Sequence, residues 1–213
     1  MSFFDSAYRG GRPPWDIGRP QKEFVELVRR GEIQGSVLDI GCGTGENALF
    51  FAAEGHEVWG IDSTPLAIEK AKEKAARRGI RVHFLVLDAL HMSELTRKFD
   101  AGGQTAELVP DQEKIAQHFS TVTDSGFFHT LSDGDRPVFL ENLATVLPSG
   151  GRYFMLCFSE LEPGGYGPRR ITRAEIRDTF RNGWTVNYIR PAVFESWTRK
   201  EGSKAWLAGI RRE

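Results

Sequence analysis

The chain alternates short aliphatic runs with longer amphipathic stretches. Val37-Leu38-Asp39-Ile40 is an apolar run carrying one carboxylate, and Gly41, Gly43 and Gly45 follow it at alternate positions. This reads as a buried strand breaking into a tight turn, because glycine supplies left-handed backbone angles and removes side-chain bulk. Glu46 to Glu54 is a good helix former. The turn therefore feeds a helix N-terminus whose first N–H groups have no partner inside the helix. The rhythm then repeats. Glu57 to Asp62 predicts a second strand closing on an acid, and Ser63-Thr64-Pro65 caps a helix from Leu66 to Arg78 with apolar Leu66, Ile68 and Ala71. Gly79 stops that helix, and Ile80 to Asp88 predicts a third strand, again ending in an acid and followed by Ala89-Leu90.

Between Asp100 and His118 the alternation fails: Gly102-Gly103 and Pro110-Asp111 precede a short helix-like stretch from Gln112 to Phe119. A crossover does not need that much chain, so residues 100–118 read as an insertion beside the strand ends, either a lid or a surface excursion. Phe119 to Asp124 predicts a weakly apolar fourth strand, and Ser125 to Leu131 opens into a turn. Asp135 to Leu147 predicts a helix with Val138, Leu140, Leu143, Val146 and Leu147 as its buried stripe. Pro148-Ser149-Gly150-Gly151 ends it, and Arg152 to Phe158 is the fifth strand. Thr172 to Asn182 predicts a helix, and Trp184 to Ile189 and Lys204 to Arg211 predict two strands able to form an antiparallel hairpin. Ala192 to Thr198 continues or precedes that hairpin. The expected class is α/β: a Rossmann-like, seven-stranded, mostly parallel sheet with a C-terminal antiparallel hairpin and helices on both faces.

At 213 residues one domain is expected, with residues 1–30 forming an N-terminal arm and first helix. The formal net charge is −1, and the basic pairs Arg77-Arg78 and Arg169-Arg170 do not amount to a nucleic-acid surface. Cys42 and Cys157 are too few and too far apart for a disulfide framework or a zinc site. No apolar stretch approaches the length of a membrane span, so no membrane partner is expected and the compartment read from composition is cytoplasmic. Monomer and dimer both stay open.

The glycine spacing narrows the ligand. A dinucleotide loop, G-x-G-x-x-G, needs glycine at position 46, where this chain has Glu46. Asp39-Ile40-Gly41-Cys42-Gly43-Thr44-Gly45 instead resembles the first motif of class I S-adenosylmethionine (SAM) dependent methyltransferases. Asp62 lies about 20 residues past the loop, where an acid can accept ribose hydroxyls. Within the family the chain resembles the thiopurine S-methyltransferase group and bacterial enzymes methylating quinones and heterocyclic toxins. Three segments carry that finer likeness: Pro14 to Gln21, Asp124-Ser125-Gly126-Phe127-Phe128-His129, and Phe158-Ser159-Glu160 with Pro163 to Pro168. The resemblance implies SAM as cofactor, bound by Trp15, Arg19, Asp39, Gly41, Cys42, Gly43, Gly45, Asn47, Asp62, Ser63, Thr64, Asp88, Ala89, Leu90 and Asp124. Asp88 would meet the adenine amino group. Where thiopurine enzymes place Arg in the D-x-G loop this chain has Ser125, so Arg19 or loop N–H groups would hold the methionine carboxylate.

Methyl transfer from a sulfonium is an in-line displacement, so the protein chiefly aligns the reactants. His129, just beyond Asp124, is the candidate general base; the alternative is a histidine bonded to backbone. His56, His83, His91 and His118 lack metal-ligand spacing, and no metal is expected. Aromatic residues mark the acceptor side: Phe3, Phe4, Tyr8 and Trp15 before the core, then Phe127, Phe128, Phe158 and Tyr166. Core packing is the other reading for Phe127, Phe128 and Phe158. The expected function is methylation of a thiol or acidic hydroxyl on a small aromatic or heterocyclic molecule. A non-catalytic SAM-binding regulator and a methyltransferase acting on RNA or protein are the alternatives. The tetrad of amino-group nucleic-acid methyltransferases does not follow the fourth strand; Arg12-Pro13-Pro14-Trp15 echoes it only superficially.

Overall fold

The computed structural model describes residues 3–95 and 118–213. Within them, strands β1 (Val37–Ile40), β2 (Val58–Asp62), β3 (His83–Val86), β4 (Thr121–Ser125), β5 (Arg152–Phe158), β6 (Trp184–Ser196) and β7 (Arg199–Arg212) form one seven-stranded sheet. The order is β3-β2-β1-β4-β5-β7-β6. Strands β1 to β5 pair in parallel, and β7 runs antiparallel to both β5 and β6. The chain order reverses between β1 and β4, which opens a crevice at the C-terminal ends of those strands. Helices are α1 (Phe3–Arg9), α2 (Lys22–Arg29), α3 (Glu46–Ala53), α4 (Pro65–Arg78), α5 (Asp135–Val146) and α6 (Arg173–Thr179). Among the described residues no helix is long and apolar enough to cross a membrane.

Both faces of the sheet are covered, as period-2 alternation along the strands requires. Leu38, Ile61, Tyr153, Met155 and Trp206 pack with α5 and α6 on one face. Val37, Phe84, Phe154, Leu156 and Leu207 pack with α2, α3 and α4 on the other. Central strand β4 looked weak because its buried positions include Thr121, Thr123 and Asp124. Each is satisfied: Thr121 donates to the Gln34 carbonyl at 2.8 Å and Thr123 to Asp39 at 2.7 Å, while Asp124 accepts from three donors.

Three expectations shift. The C-terminal segments are one long hairpin, with Pro191 inside β6 opposite Trp206. Proline is tolerated there because β6 is the sheet edge and needs no donor on its outer side. The N-terminal arm contains a helix, α1, anchored by buried Tyr8. The buried stripe of α5 is also rotated: Val138 is 43 % exposed, while Phe139, Asn142, Leu143 and Val146 are buried. Asn142 joins that face because its side chain accepts from Ser93 N–H and donates to the Val138 carbonyl. The expected insertion at 100–118 lies outside the described residues, His118 excepted.

Phe139 contacts the rings of Phe127, Phe128 and Tyr153. Phe139→Ala is therefore expected to destabilise the fold by roughly 3–5 kcal/mol, and Val138→Ala by no more than about 0.5 kcal/mol. Urea denaturation of both variants checks the orientation of the helix, and equal losses would contradict it.

Candidate active site

The site is built at the C-terminal ends of the parallel strands. Gly41, Gly43 and Gly45 have φ of +60°, +54° and +84°, so the loop from β1 to α3 is left-handed at each alternate residue. At Gly45 packing adds to conformation: a Cβ would come within 2.6 Å of the Phe84 ring and 3.1 Å of Ala71. Asp62, at the end of β2, secures this loop. Its Oδ2 accepts the Gly43 N–H at 2.9 Å and its Oδ1 the Thr64 N–H at 2.8 Å. Burial raises the Asp62 pKa above the usual carboxylate value, and these two N–H groups pull it back. Each oxygen keeps a lone pair for a further donor such as a ribose hydroxyl. Ser63 is exposed beside it, and Thr64 is the buried N-cap residue of α4. Asp88 caps the short turn Ala89–His91 by accepting the Leu90 N–H at 2.9 Å, which leaves its other oxygen free of that bond.

Asp39 lies behind the loop, fully buried. Its Oδ1 accepts from Thr123, and burial pushes its pKa up to about 7. Its Oδ2 lacks a well-formed hydrogen bond, although the Ala48 amide is near enough to oppose the rise. Burial, with Asp62 nearby, also raises the Cys42 thiol, which is therefore a packing group and not a nucleophile.

The N-terminal arm lies across this loop. Tyr8, Trp15 and Asp16 line one pocket with Gly41, Gly43 and Ser125. Trp15 donates to the Tyr8 hydroxyl at 3.1 Å, and Thr44 donates to Asp16 at 3.0 Å. Lys74 of α4 donates to Thr44 and Glu46 and lies 3.7 Å from Asp16, while Arg78 also pairs with Glu46. Asn47 accepts the Gln21 N–H at 3.0 Å, so it holds the arm. On the far side the arm is tied to the hairpin: Trp197 donates to the Pro13 carbonyl, and Gln21 bonds the Glu195 backbone in both directions. Phe4 packs on Trp15 with ring centroids 5.8 Å apart.

Four expected roles are corrected. Arg19 lines the pocket, but both its terminal nitrogens donate to Glu195 at 2.9 Å. Its charge is already neutralised, so the loop N–H groups remain the candidates for a carboxylate. Asp124 is fully buried away from the crevice, accepting from Phe127 N–H, Phe128 N–H and the Tyr153 hydroxyl at 2.6–2.8 Å. It is a loop-holding acid, not a cofactor ligand, and burial raises its pKa to about 6. Phe128 is core, stacked among Phe139, Phe180 and the Arg136 guanidinium. His129 is buried with Nδ1 accepting the Phe158 N–H at 3.1 Å. Burial and the Arg170 charge depress its pKa to about 3, too low for a general base near neutrality.

Of the other expected acceptor-side positions, Phe158 is buried in the core together with Phe194. His129, Phe158 and Phe194 meet pairwise at centroid distances of 5.1, 5.3 and 5.8 Å. Phe127 is half-buried against Gly41. Tyr166 is 40 % exposed between Arg170 and Arg199 and bonded to Glu162. Thr44, Lys74, Phe194 and Glu195 were not singled out from the sequence, and Tyr8 only as one of the aromatic residues of the arm. Only the aromatic density of the arm pointed toward Tyr8; for the others the chain carries no local signal.

His129 leaves a mark on stability. Its pKa is about 3 in the folded protein against an ordinary 6.5, so below about pH 6.5 the unfolded chain takes up a proton that the folded chain refuses. That contribution to stability is present above pH 6.5 and lost as pH falls toward 3. Asp39, raised from 3.8 to about 7, acts oppositely over the same range. His129→Gln should therefore remove close to one proton's worth of acid destabilisation between about pH 6 and 4. Chemical denaturation at a series of pH values checks this, and an unchanged slope would contradict the buried neutral imidazole.

Residues 37–116 match the family described as a methyltransferase domain. The chain is 33 % identical over 201 residues to 2-heptyl-1-hydroxyquinolin-4(1H)-one methyltransferase of Mycobacteroides abscessus, covering 90 % of this chain and 80 % of that protein. It is 25 % identical over 173 residues to a probable thiol methyltransferase of Arabidopsis thaliana, covering 81 % of this chain and 68 % of the relative. A solved structure described under the conversion of a disulfide bond into a thioacetal group during echinomycin biosynthesis superposes with TM-score 0.81. It shares 32 % identity and is matched over 99 % of this chain and 91 % of its own. A left-handed glycine loop tied to a strand-end acid, a β3-β2-β1-β4-β5-β7-β6 sheet and these long matches together make the chain a member of the SAM-dependent methyltransferases.

Proposed function

We propose that this enzyme methylates a thiol or an acidic hydroxyl on a small aromatic or heterocyclic molecule. The observation that carries the reading is the aromatic cluster of His129, Phe158 and Phe194, whose Phe194 lines the pocket with Ser125 and the glycine loop and whose imidazole has its pKa depressed to about 3. Flat apolar walls suit a flat acceptor. Without a base, the acceptor must ionise by itself near neutral pH, which thiols and acidic hydroxyls do and alcohols do not. The named activities of the relatives, on a hydroxyquinolone and a thiol, point the same way.

SAM supplies a methyl group on a cationic sulfur when bound. Asp62 is assigned to the ribose hydroxyls and Asp88 to the adenine amino group, with the Ala89 and Leu90 backbone beside the ring. The loop N–H groups from Gly41 to Gly45 are assigned to the methionine carboxylate, and Trp15 closes the pocket from the arm. The residues fit such a ligand because a loop with glycine at every other position lies against a carboxylate that keeps spare lone pairs.

Calorimetric titration with S-adenosylhomocysteine tests the cofactor assignment. Asp62→Ala should weaken binding by roughly 1.5–3 kcal/mol, as loss of charge-assisted hydrogen bonds does. Unaltered affinity would refute it. The acceptor class is tested by a methyl-transfer screen of aryl thiols, hydroxyquinolones and heterocyclic amines, run with chelator and with tRNA and protein controls. Transfer to thiols or hydroxyls that survives chelation is expected. Activity confined to the macromolecules, or cofactor binding without any transfer, would replace the proposal with the macromolecular or the regulatory reading respectively.

A further inference from the structure

The Phe158 amide points at His129 Nδ1 from 3.1 Å, so Nδ1 is an acceptor and the proton of the neutral ring sits on Nε2. Nε2 has no hydrogen bond among the described residues. Neither is it sealed: the buried side-chain polar atoms without a partner there are Asp39 Oδ2, Arg136 Nε and Ser159 Oγ. It lies over Gly126, where a Cβ would fall 3.1 Å from Nε2 and 2.9 Å from the Phe194 ring. Gly126 is left-handed at φ +86° and separates the histidine from Ser125, which lines the cofactor-side pocket with Phe194. The missing side chain at 126 thus leaves the Nε2–H donor beside the Gly126 backbone and Phe194, one residue from the pocket-lining Ser125.

We propose that His129 is a catalytic hydrogen-bond donor: its neutral Nε2–H binds the ionised sulfur or oxygen of the acceptor and aims it at the methyl group. This rests on the acceptor class proposed above. The acceptor loses its proton to water before or during binding. Its heteroatom then forms a bond to the methyl carbon while the sulfonium S–C bond breaks, that electron pair staying on the departing sulfur. One anion and one cation become two neutral thioethers, or an ether and a thioether. The histidine neither gains nor loses a proton. The groups around it agree with a neutral donor: Phe158 and Phe194 are apolar, Arg170 supplies positive charge, and Asp124 on the same loop is occupied by Phe127, Phe128 and Tyr153.

Two measurements test it. The first is kcat/KM against pH for 4-nitrothiophenol and benzyl mercaptan, whose thiols ionise below and above neutrality, in wild type, His129→Gln and His129→Phe. Calorimetry with S-adenosylhomocysteine establishes that each variant is folded. The rising limb should follow the ionisation of each thiol and stay in place in the variants. With 4-nitrothiophenol fully ionised, His129→Phe should lose about tenfold or more in kcat and His129→Gln, which keeps an N–H donor, clearly less. A limb common to both thiols that vanishes with His129 would identify a base and overturn the proposal; so would full activity in His129→Phe. The second measurement is the 15N spectrum of the imidazole in wild-type protein, which decides the matter even where a variant does not fold or neither thiol reacts. A neutral Nε2–H ring from pH 5 to 9 is expected, whereas an Nδ1–H tautomer or an imidazolium at neutral pH would overturn the proposal. Bound S-adenosylhomocysteine without transfer to either thiol would count against the acceptor class alone.

Discussion

Carboxylates at or just beyond the ends of β2, β3 and β4 hold the neighbouring loops of this site by accepting backbone N–H groups. Parallel strands release the chain at one edge of the sheet, where the departing turns have amides that no ladder pairs. Asp62 takes the Gly43 and Thr64 amides, Asp88 takes that of Leu90, and Asp124 takes those of Phe127 and Phe128. At Asp62 and Asp124 burial disfavours the charge, and the amides recover part of that loss. Depth differs among them: Asp62 and Asp88 are half-buried, while Asp124 is fully buried.

The second constraint is the strap. The arm from Tyr8 to Gln21 joins the glycine loop, through Thr44, Asn47 and Lys74, to the tip of the β6–β7 hairpin, through Glu195 and Trp197. Single exposed ion pairs contribute little. Here, however, Lys74 and Glu46 are largely buried and share Thr44, Asp16 and Arg78 in one network. Burial raises the Glu46 pKa, and its bonds to Arg78 and Lys74 more than offset this, so the net shift is downward. The pocket therefore has one wall from the start of the chain and another from near its end, both held by charge and hydrogen bonds over the same glycine turn.

Electrostatics on the acceptor side follow from packing. An imidazole enclosed by two phenylalanines and close to an arginine has its pKa depressed to about 3, so His129 stays neutral there near pH 7. Arg170 and Arg199 flank Tyr166, and buried Glu162 ties Arg199 to the β7 amide of Lys204. The loop after β5 is consequently braced by both arginines, Arg199 through its ion pair with Glu162 and Arg170 over the Tyr166 ring.

The succession of strands and helices, the glycine turn and the acids Asp62 and Asp88 were legible in the chain because each depends on local rules. These are period-2 and period-3.6 burial, the backbone freedom of glycine, and an acid at a strand end. The hairpin was legible only in part, since edge strand β6 alternates irregularly through a bulge at Val186–Tyr188 and carries Pro191. What tertiary structure decided are pairings across long separations. Asp124 turned inward because Tyr153 stands beside it from β5, and Arg19 met Glu195 across 176 positions. The register that brings the Phe158 amide to His129 Nδ1 settled which imidazole nitrogen carries the proton. No local pattern encodes such contacts, because which face a side chain takes depends on strand register and helix rotation, and either shifts with a single residue.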